Sequence, residues 1–206
     1  MKVLLVNGSP HANGSTYTAL KEVADTLNVE GIETEMIQVG HLAIRGCIGC
    51  GKCFKDRECV FDDIVNEFRP KFEECDGLVV GSPVYYASAN STLTAFLDRL
   101  FYSSSRIDKR MKVGASVVSC RRGGNTATFD QLNKYFLISG MPLAPSQYWN
   151  MIHGNNAEQA KLDLEGMQTM RTLGRNMAFL IKSIQLGKEQ FGLPEKEKGN
   201  YTNFIR

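Results

Sequence analysis

Val3-Leu4-Leu5-Val6-Asn7-Gly8-Ser9-Pro10-His11-Ala12-Asn13-Gly14-Ser15-Thr16 is the stretch that decides the fold. Its opening run, Val3 to Val6, is apolar, short and bounded by turn residues, which predicts a buried strand. Asn7-Gly8-Ser9-Pro10 stops that strand. Asn13-Gly14-Ser15-Thr16 supplies a turn and then hydroxyls suited to cap a helix. Tyr17, Leu20, Val23, Ala24 and Leu27 follow at helical spacing. Strand, polar loop and helix in that order aim the loop at a helix N-terminus, where free backbone N–H groups and the helix dipole attract an anion. The plain alternative is an ordinary strand-to-helix turn in which Ser15 or Thr16 only caps.

The chain has 206 residues, 43% hydrophobic and 22% charged, with a formal net charge of +2. That length suffices for one domain with a sizeable core. Without a basic block, the near-neutral balance argues against nucleic acid or a membrane surface as partner. Met1-Lys2 leads directly into the first strand, so no signal peptide is expected, and no apolar run reaches the roughly 20 residues of a membrane span. A cytoplasmic location is the expectation.

Downstream, Thr34 to Val39 alternates polar and apolar residues, as an outer strand does. The glycine-rich segment Gly46 to Val60 is expected to be irregular. Asp62-Asp63 should cap a helix through Ile64, Val65, Phe68 and Phe72, with Pro70 kinking it or starting a new turn. Leu78 to Ser82 reads as a buried strand, Pro83 to Asn90 as a loop, and Leu93 to Phe101 as a helix. Lys112 to Ser119 is the next strand, Cys120 to Thr126 the loop beyond it, and Phe129 to Phe136 a helix. Met141 to His153 is extended. A long amphipathic helix over 157–186, with breaks at Gly166 and Gly174, closes the domain at about residue 188 and leaves 189–206 as a tail. Strands alternating with helices give an α/β domain with a parallel sheet, whose ligands bind at the carboxyl ends of the strands. The loops after the first, third and fourth strand-like runs converge there.

The first loop lacks the G-x-G-x-x-G fingerprint and the lysine of a nucleoside-triphosphate loop. Ser9, Asn13, Ser15 and Thr16, with His11 as the lone titratable group, are neutral donors that suit a single phosphomonoester. Pro83-Val84-Tyr85-Tyr86 offers rigid backbone and two rings for the face of a flat heterocycle, although either tyrosine could equally pack in the core. Arg121 and Arg122 with Gly123 and Gly124 offer donors and close backbone approach.

These three motifs, with Phe96-Leu97-Asp98-Arg99 extending the second, resemble the flavodoxin-like NAD(P)H-dependent FMN reductase family over nearly the whole chain. The resemblance implies a three-layer flavodoxin-like α/β fold with a five-stranded parallel sheet in the order 2-1-3-4-5. It implies one FMN-binding domain over 1–188, carrying a cysteine-rich insertion at 44–61. It also implies that Ser9, His11, Asn13, Gly14, Ser15 and Thr16 grip the FMN phosphate, and that Pro83, Val84, Tyr85 and Tyr86, with Ser119, Arg121, Arg122, Gly123 and Gly124, flank the ring. Two residues depart from the family pattern: His11, where arginine is common, and Ala87, where glycine is common.

Cys47-x2-Cys50-x2-Cys53-x5-Cys59 is compact enough for four thiolates to reach one metal centre. Zinc sites usually use two separated C-x2-C pairs, whereas three cysteines at successive x2 spacing match iron–sulfur ligation, here a 4Fe-4S cluster. The segment is similar to that of the iron-sulfur flavoproteins. Free thiols that oxidise reversibly and adventitious zinc remain as alternatives. Cys75 is expected to be buried and structural, Cys120 lies in the third loop, and His41 and His153 receive no role.

The expected function is an FMN-dependent oxidoreductase that takes NAD(P)H as co-substrate and passes electrons to a quinone, free flavin, nitroaromatic or protein acceptor. The flavin carries the chemistry, and no catalytic side chain is required. The rivals are an iron-sulfur flavoprotein that carries electrons between proteins, and a flavin sensor switched by its cysteines. Trp149, Tyr201 and Phe204 read as apolar surface for a homodimer or homotetramer.

Overall fold

The computed structural model describes residues 1–204. Along the chain run β1 (Lys2–Asn7), α1 (Ser15–Val29), β2 (Glu33–Gln38), α2 (Cys53–Asp56), α3 (Ile64–Glu74) and β3 (Gly77–Tyr85). They are followed by β4 (Ser88–Ala89), α4 (Ser91–Ser103), β5 (Val113–Cys120), α5 (Asn125–Leu137), β6 (Met151–His153), α6 (Ala157–Leu162) and α7 (Leu164–Phe191).

Alternation along each strand divides the core in two. In β1, Val3 and Leu5 join one cluster and Leu4 and Val6 the other, all with no exposed surface. The first cluster is closed by Leu20, Val23 and Leu27 of α1 with Leu173, Met177 and Ile181 of α7. The second is closed by Phe68 and Phe72 of α3, Phe96 and Leu97 of α4, and Leu132 and Phe136 of α5. Each such buried side chain contributes about 1.5–3 kcal/mol relative to exposure. The result is three layers, with the sheet in the middle.

The parallel strands lie in the order β2-β1-β3-β5-β6, and β4 pairs antiparallel with β3. Leaving β4 aside, this is the expected 2-1-3-4-5 arrangement. The sixth strand corrects one boundary, because Pro83 to Asn90 is not a plain loop. β3 runs on through Tyr85, turns at Tyr86 and Ala87, and returns as β4, with Val84 opposite Ala89 and Tyr85 opposite Ser88. Both turn residues have positive φ, 51° and 58°, as tight hairpins of this kind require.

Four further boundaries differ from expectation. The cysteine segment contains one helical turn, α2. α3 continues through Pro70 as one helix to Glu74. The closing helix breaks at Asp163, whose carboxylate accepts the Gly166 N–H at 2.9 Å to cap α7, and not at Gly166 or Gly174. Gly174 is there for contact: a Cβ at that position would stand 2.7 Å from Thr26 Cβ of α1. α7 also runs to Phe191, so the tail begins later than expected. No described helix is long and apolar enough to cross a membrane.

Candidate FMN site and cysteine pocket

At the carboxyl end of the sheet, Ser9 to Thr16, Pro83 to Tyr85, Ser119 to Arg121 and Gly154 to Glu158 enclose a cavity of about 770 Å³. Its floor is built by hydrogen bonds between distant segments. Asn7, at the end of β1, accepts the Ser9 N–H at 3.0 Å on its Oδ1 and donates from Nδ2 to Gln38 Oε1 at 2.5 Å. Gln38 Nε2 returns a bond to the Ser9 carbonyl at 2.5 Å, and Ser9 Oγ accepts the His11 N–H at 3.1 Å. The loop is therefore held by the strand before it and by the neighbouring strand β2.

The hydroxyls expected to cap α1 do something else. The N-cap is Gly14, and no side chain caps the helix. Ser15 Oγ lies 3.1 Å from the Gly154 carbonyl and 3.0 Å from the Asn156 carbonyl, tying α1 to the loop after β6. Thr16 Oγ1 meets Ser119 Oγ at 2.7 Å, joining α1 to β5 beneath the cavity. The N-terminal donors of α1 are thus left facing the cavity, with no acidic residue in the first turn to compete for them. This arrangement fits the phosphate of FMN, because an uncapped helix start supplies both N–H donors and the positive end of the dipole.

Of the residues expected at the FMN site, Ser9, His11, Asn13, Gly14, Ser15, Thr16, Pro83, Val84, Tyr85, Ser119 and Arg121 line this cavity. Arg122 and Gly123 are exposed outside it. Tyr86 projects fully into solvent from the hairpin turn. Gly124 is not in the lining either. It stands behind the hairpin in the left-handed region (φ 89°), where an added Cβ would come within 2.8 Å of Ala87 Cα. Sequence reasoning missed the fourth wall, Gly154 to Glu158; His153, to which it gave no role, lies just before that wall with Nδ1 3.5 Å from Cys120 Sγ. Burial pushes the Cys120 thiol above its ordinary pKa, as it does for a cysteine packed among apolar groups.

The four clustered cysteines lie on the other side of the domain from α1. Cys47, Cys50, Cys53 and Cys59 line one pocket with Ile48, Val60, Phe61, Tyr102 and Arg99. All are free thiols. Burial and the neighbouring cysteines together push the Cys53 thiol upward. Among the described residues, no three His, Cys, Asp or Glu side chains are grouped as a site for a metal ion. The pocket is drawn in to about 20 Å³ of free space. It is the donor set, four thiols on one short loop backed by a guanidinium, that fits an iron–sulfur group, since such clusters take one thiolate per iron corner. Asn66 fixes the last of the four: it accepts the Cys59 N–H at 2.8 Å and donates to the Cys59 and Phe61 carbonyls.

The chain is 33% identical over 192 residues to an iron-sulfur flavoprotein of Methanocaldococcus jannaschii, covering 90% of this chain and all of that one. It is 27% identical over 194 residues to the iron-sulfur flavoprotein of Methanosarcina thermophila, covering 92% and all of it, respectively. An archaeal flavodoxin structure superposes with a TM-score of 0.61 at 16% identity, covering 88% of this chain and 99% of that one, which is a likeness of fold. The model of the NADPH-dependent FMN reductase family matches residues 1–156, and the chain belongs to that family of flavodoxin-like oxidoreductases.

Proposed function

We propose that the protein binds FMN in the 770 Å³ cavity, takes reducing equivalents from NADH or NADPH, and delivers them to a small acceptor such as a quinone or free flavin. The observation that carries this reading is the uncapped α1 N-terminus opening into a cavity walled by loops from four strands. FMN, when bound, supplies the hydride and electron chemistry. The chain's own residues orient and enclose it. The α1 N-terminus with Ser9 and Asn13 would hold the phosphate, Pro83 to Tyr85 would bound the ring, and Arg121 brings positive charge to the same rim. Anaerobic titration of the FMN-loaded protein tests this. Bleaching of the flavin bands by NADPH or NADH supports it, and no bleaching by either overturns it.

A second reading is favoured by the shared pocket of Cys47, Cys50, Cys53 and Cys59: that the protein also holds a 4Fe-4S cluster and passes electrons to a protein partner. About four iron and four sulfide per chain after anaerobic purification would support it. Reduction by ferredoxin without NAD(P)H activity would make the carrier role the principal one. For the assembly we propose a homodimer or homotetramer, on the strength of the half-exposed Tyr148–Trp149 pair and the exposed Tyr201 and Phe204. Light scattering on the full chain decides it: a monomeric mass overturns the proposal.

A further inference from the structure

Arg99 is 1% exposed, although it lies one residue from the exposed Asp98 on α4. A buried guanidinium is costly unless every N–H finds an acceptor. Here all five do. Nη1 donates to Asp63 Oδ2 at 2.7 Å and to the Arg45 carbonyl at 3.3 Å. Nη2 donates to Asp63 Oδ1 at 2.8 Å and to the Phe61 carbonyl at 3.2 Å. The fifth donor, Nε–H, points at Cys59 Sγ, 3.2 Å away. The Phe61 ring covers the group at 5.0 Å from its centroid.

Asp63 and the two carbonyls tie Arg99 to the segment around the cysteines. The bond to Cys59 is different, because it places a fixed positive charge on one sulfur of the four. We propose that Arg99 sets the reduction potential of a cluster held by Cys47, Cys50, Cys53 and Cys59, through a charge-assisted N–H···S bond to Cys59. This role rests on the iron–sulfur reading above. On reduction the cluster gains one electron, from reduced flavin in the protein or from dithionite in the test. No bond breaks, and the proton stays on Arg99, whose charge is permanent. The added negative charge spreads onto the sulfurs, so a cation hydrogen-bonded to one of them stabilises the reduced form and raises the potential. Arg99 is thus a positioning and tuning residue for the cluster. It is not one of the cluster's ligands.

The test uses the reconstituted full chain. Iron and sulfide are counted first, and then the cluster is titrated with dithionite under electron paramagnetic resonance. Arg99→Gln should shift the reduction equilibrium about tenfold or more toward the oxidised form, or about 59 mV per tenfold for a one-electron couple, and Arg99→Lys, which keeps the charge, should shift it less. Asn66→Ala, which loosens the Cys59 backbone but leaves the N–H···S donor in place, should lower iron content without moving the potential of the loaded fraction. Should the Arg99 variants not load, wild-type protein carrying 15N-labelled arginine decides instead. A 15N hyperfine coupling to the reduced cluster supports the bond, and its absence overturns the role. A loaded Arg99→Gln protein with the wild-type potential overturns Arg99 alone, whereas wild type that takes up no iron or sulfide overturns the cluster reading and this role together.

Discussion

Thr16 on α1 and Ser119 on β5 stand 103 positions apart in the chain, yet their hydroxyls share a buried hydrogen bond of 2.7 Å directly under the candidate FMN cavity. Removing one partner leaves the other hydroxyl buried and unsatisfied. Thr16→Val should therefore cost about 1–3 kcal/mol. The double variant Thr16→Val with Ser119→Ala should cost less than the sum of the two singles. Urea denaturation of the four proteins in the cycle measures both quantities; simple additivity would show that the pair is not coupled.

Asp63 caps α3 through the Val65 N–H at 3.1 Å and also holds the Arg99 guanidinium. Asp63→Ala should remove both contacts and leave a buried cation unpaired, a loss of about 3–5 kcal/mol. Asp63→Asn keeps a capping oxygen and should cost less. Equal losses in chemical denaturation would mean that the charge on Asp63 carries the whole effect and the cap contributes nothing.

The hairpin turn at Tyr86 and Ala87 carries two non-glycine residues at positive φ. Ala87→Gly relieves one of them and should stabilise the protein by up to about 1 kcal/mol, seen as a higher denaturation midpoint. Gly124→Ala should do the opposite, because its Cβ would collide with Ala87 Cα while sitting at φ 89°. It should also weaken FMN binding, since the Pro83 to Tyr85 wall moves with the hairpin.

Lys109 is buried, donating from Nζ to the Ser104 and Ile107 carbonyls, and burial brings its ammonium down from 10.5 to about 8. Between those two values the unfolded chain binds the extra proton, so this group makes stability rise as pH climbs from about 8 to about 10.5. Cys75 works in the opposite sense, because burial pushes its thiol up from 9 to about 11. Subtracting the pH profile of Lys109→Met from that of wild type isolates the lysine, and the difference should climb across that window. A flat difference would refute the shift.

The central strands β1, β3 and β5 could be read from the sequence because they are mostly apolar runs with almost no exposed surface, and burial on both faces removes the ambiguity that polar residues introduce. The cavity's first three walls were legible because glycine, proline and hydroxyl residues mark loops. The fourth wall, Gly154 to Glu158, was not, because two of its residues take part through backbone carbonyls that accept from Ser15, and carbonyls carry no residue signature. Gly174 misled as a helix breaker, since only the packed structure shows that its missing side chain admits Thr26. The pairing of Arg99 with Cys59 spans 40 positions and two elements, which no local spacing can report.

The family match ends at residue 156, yet Met170, Leu173, Met177, Ala178 and Ile181 of α7 lie in the same core as Leu20, Val23 and Leu27 of α1. The helix that follows the candidate phosphate loop therefore leans on a segment beyond the span of the family match. Cut after residue 156, the chain would retain the cavity's donors up to Asn156 but lose the wall behind α1, and the bare apolar side would be left to find cover elsewhere. The family match divides the chain where the core does not.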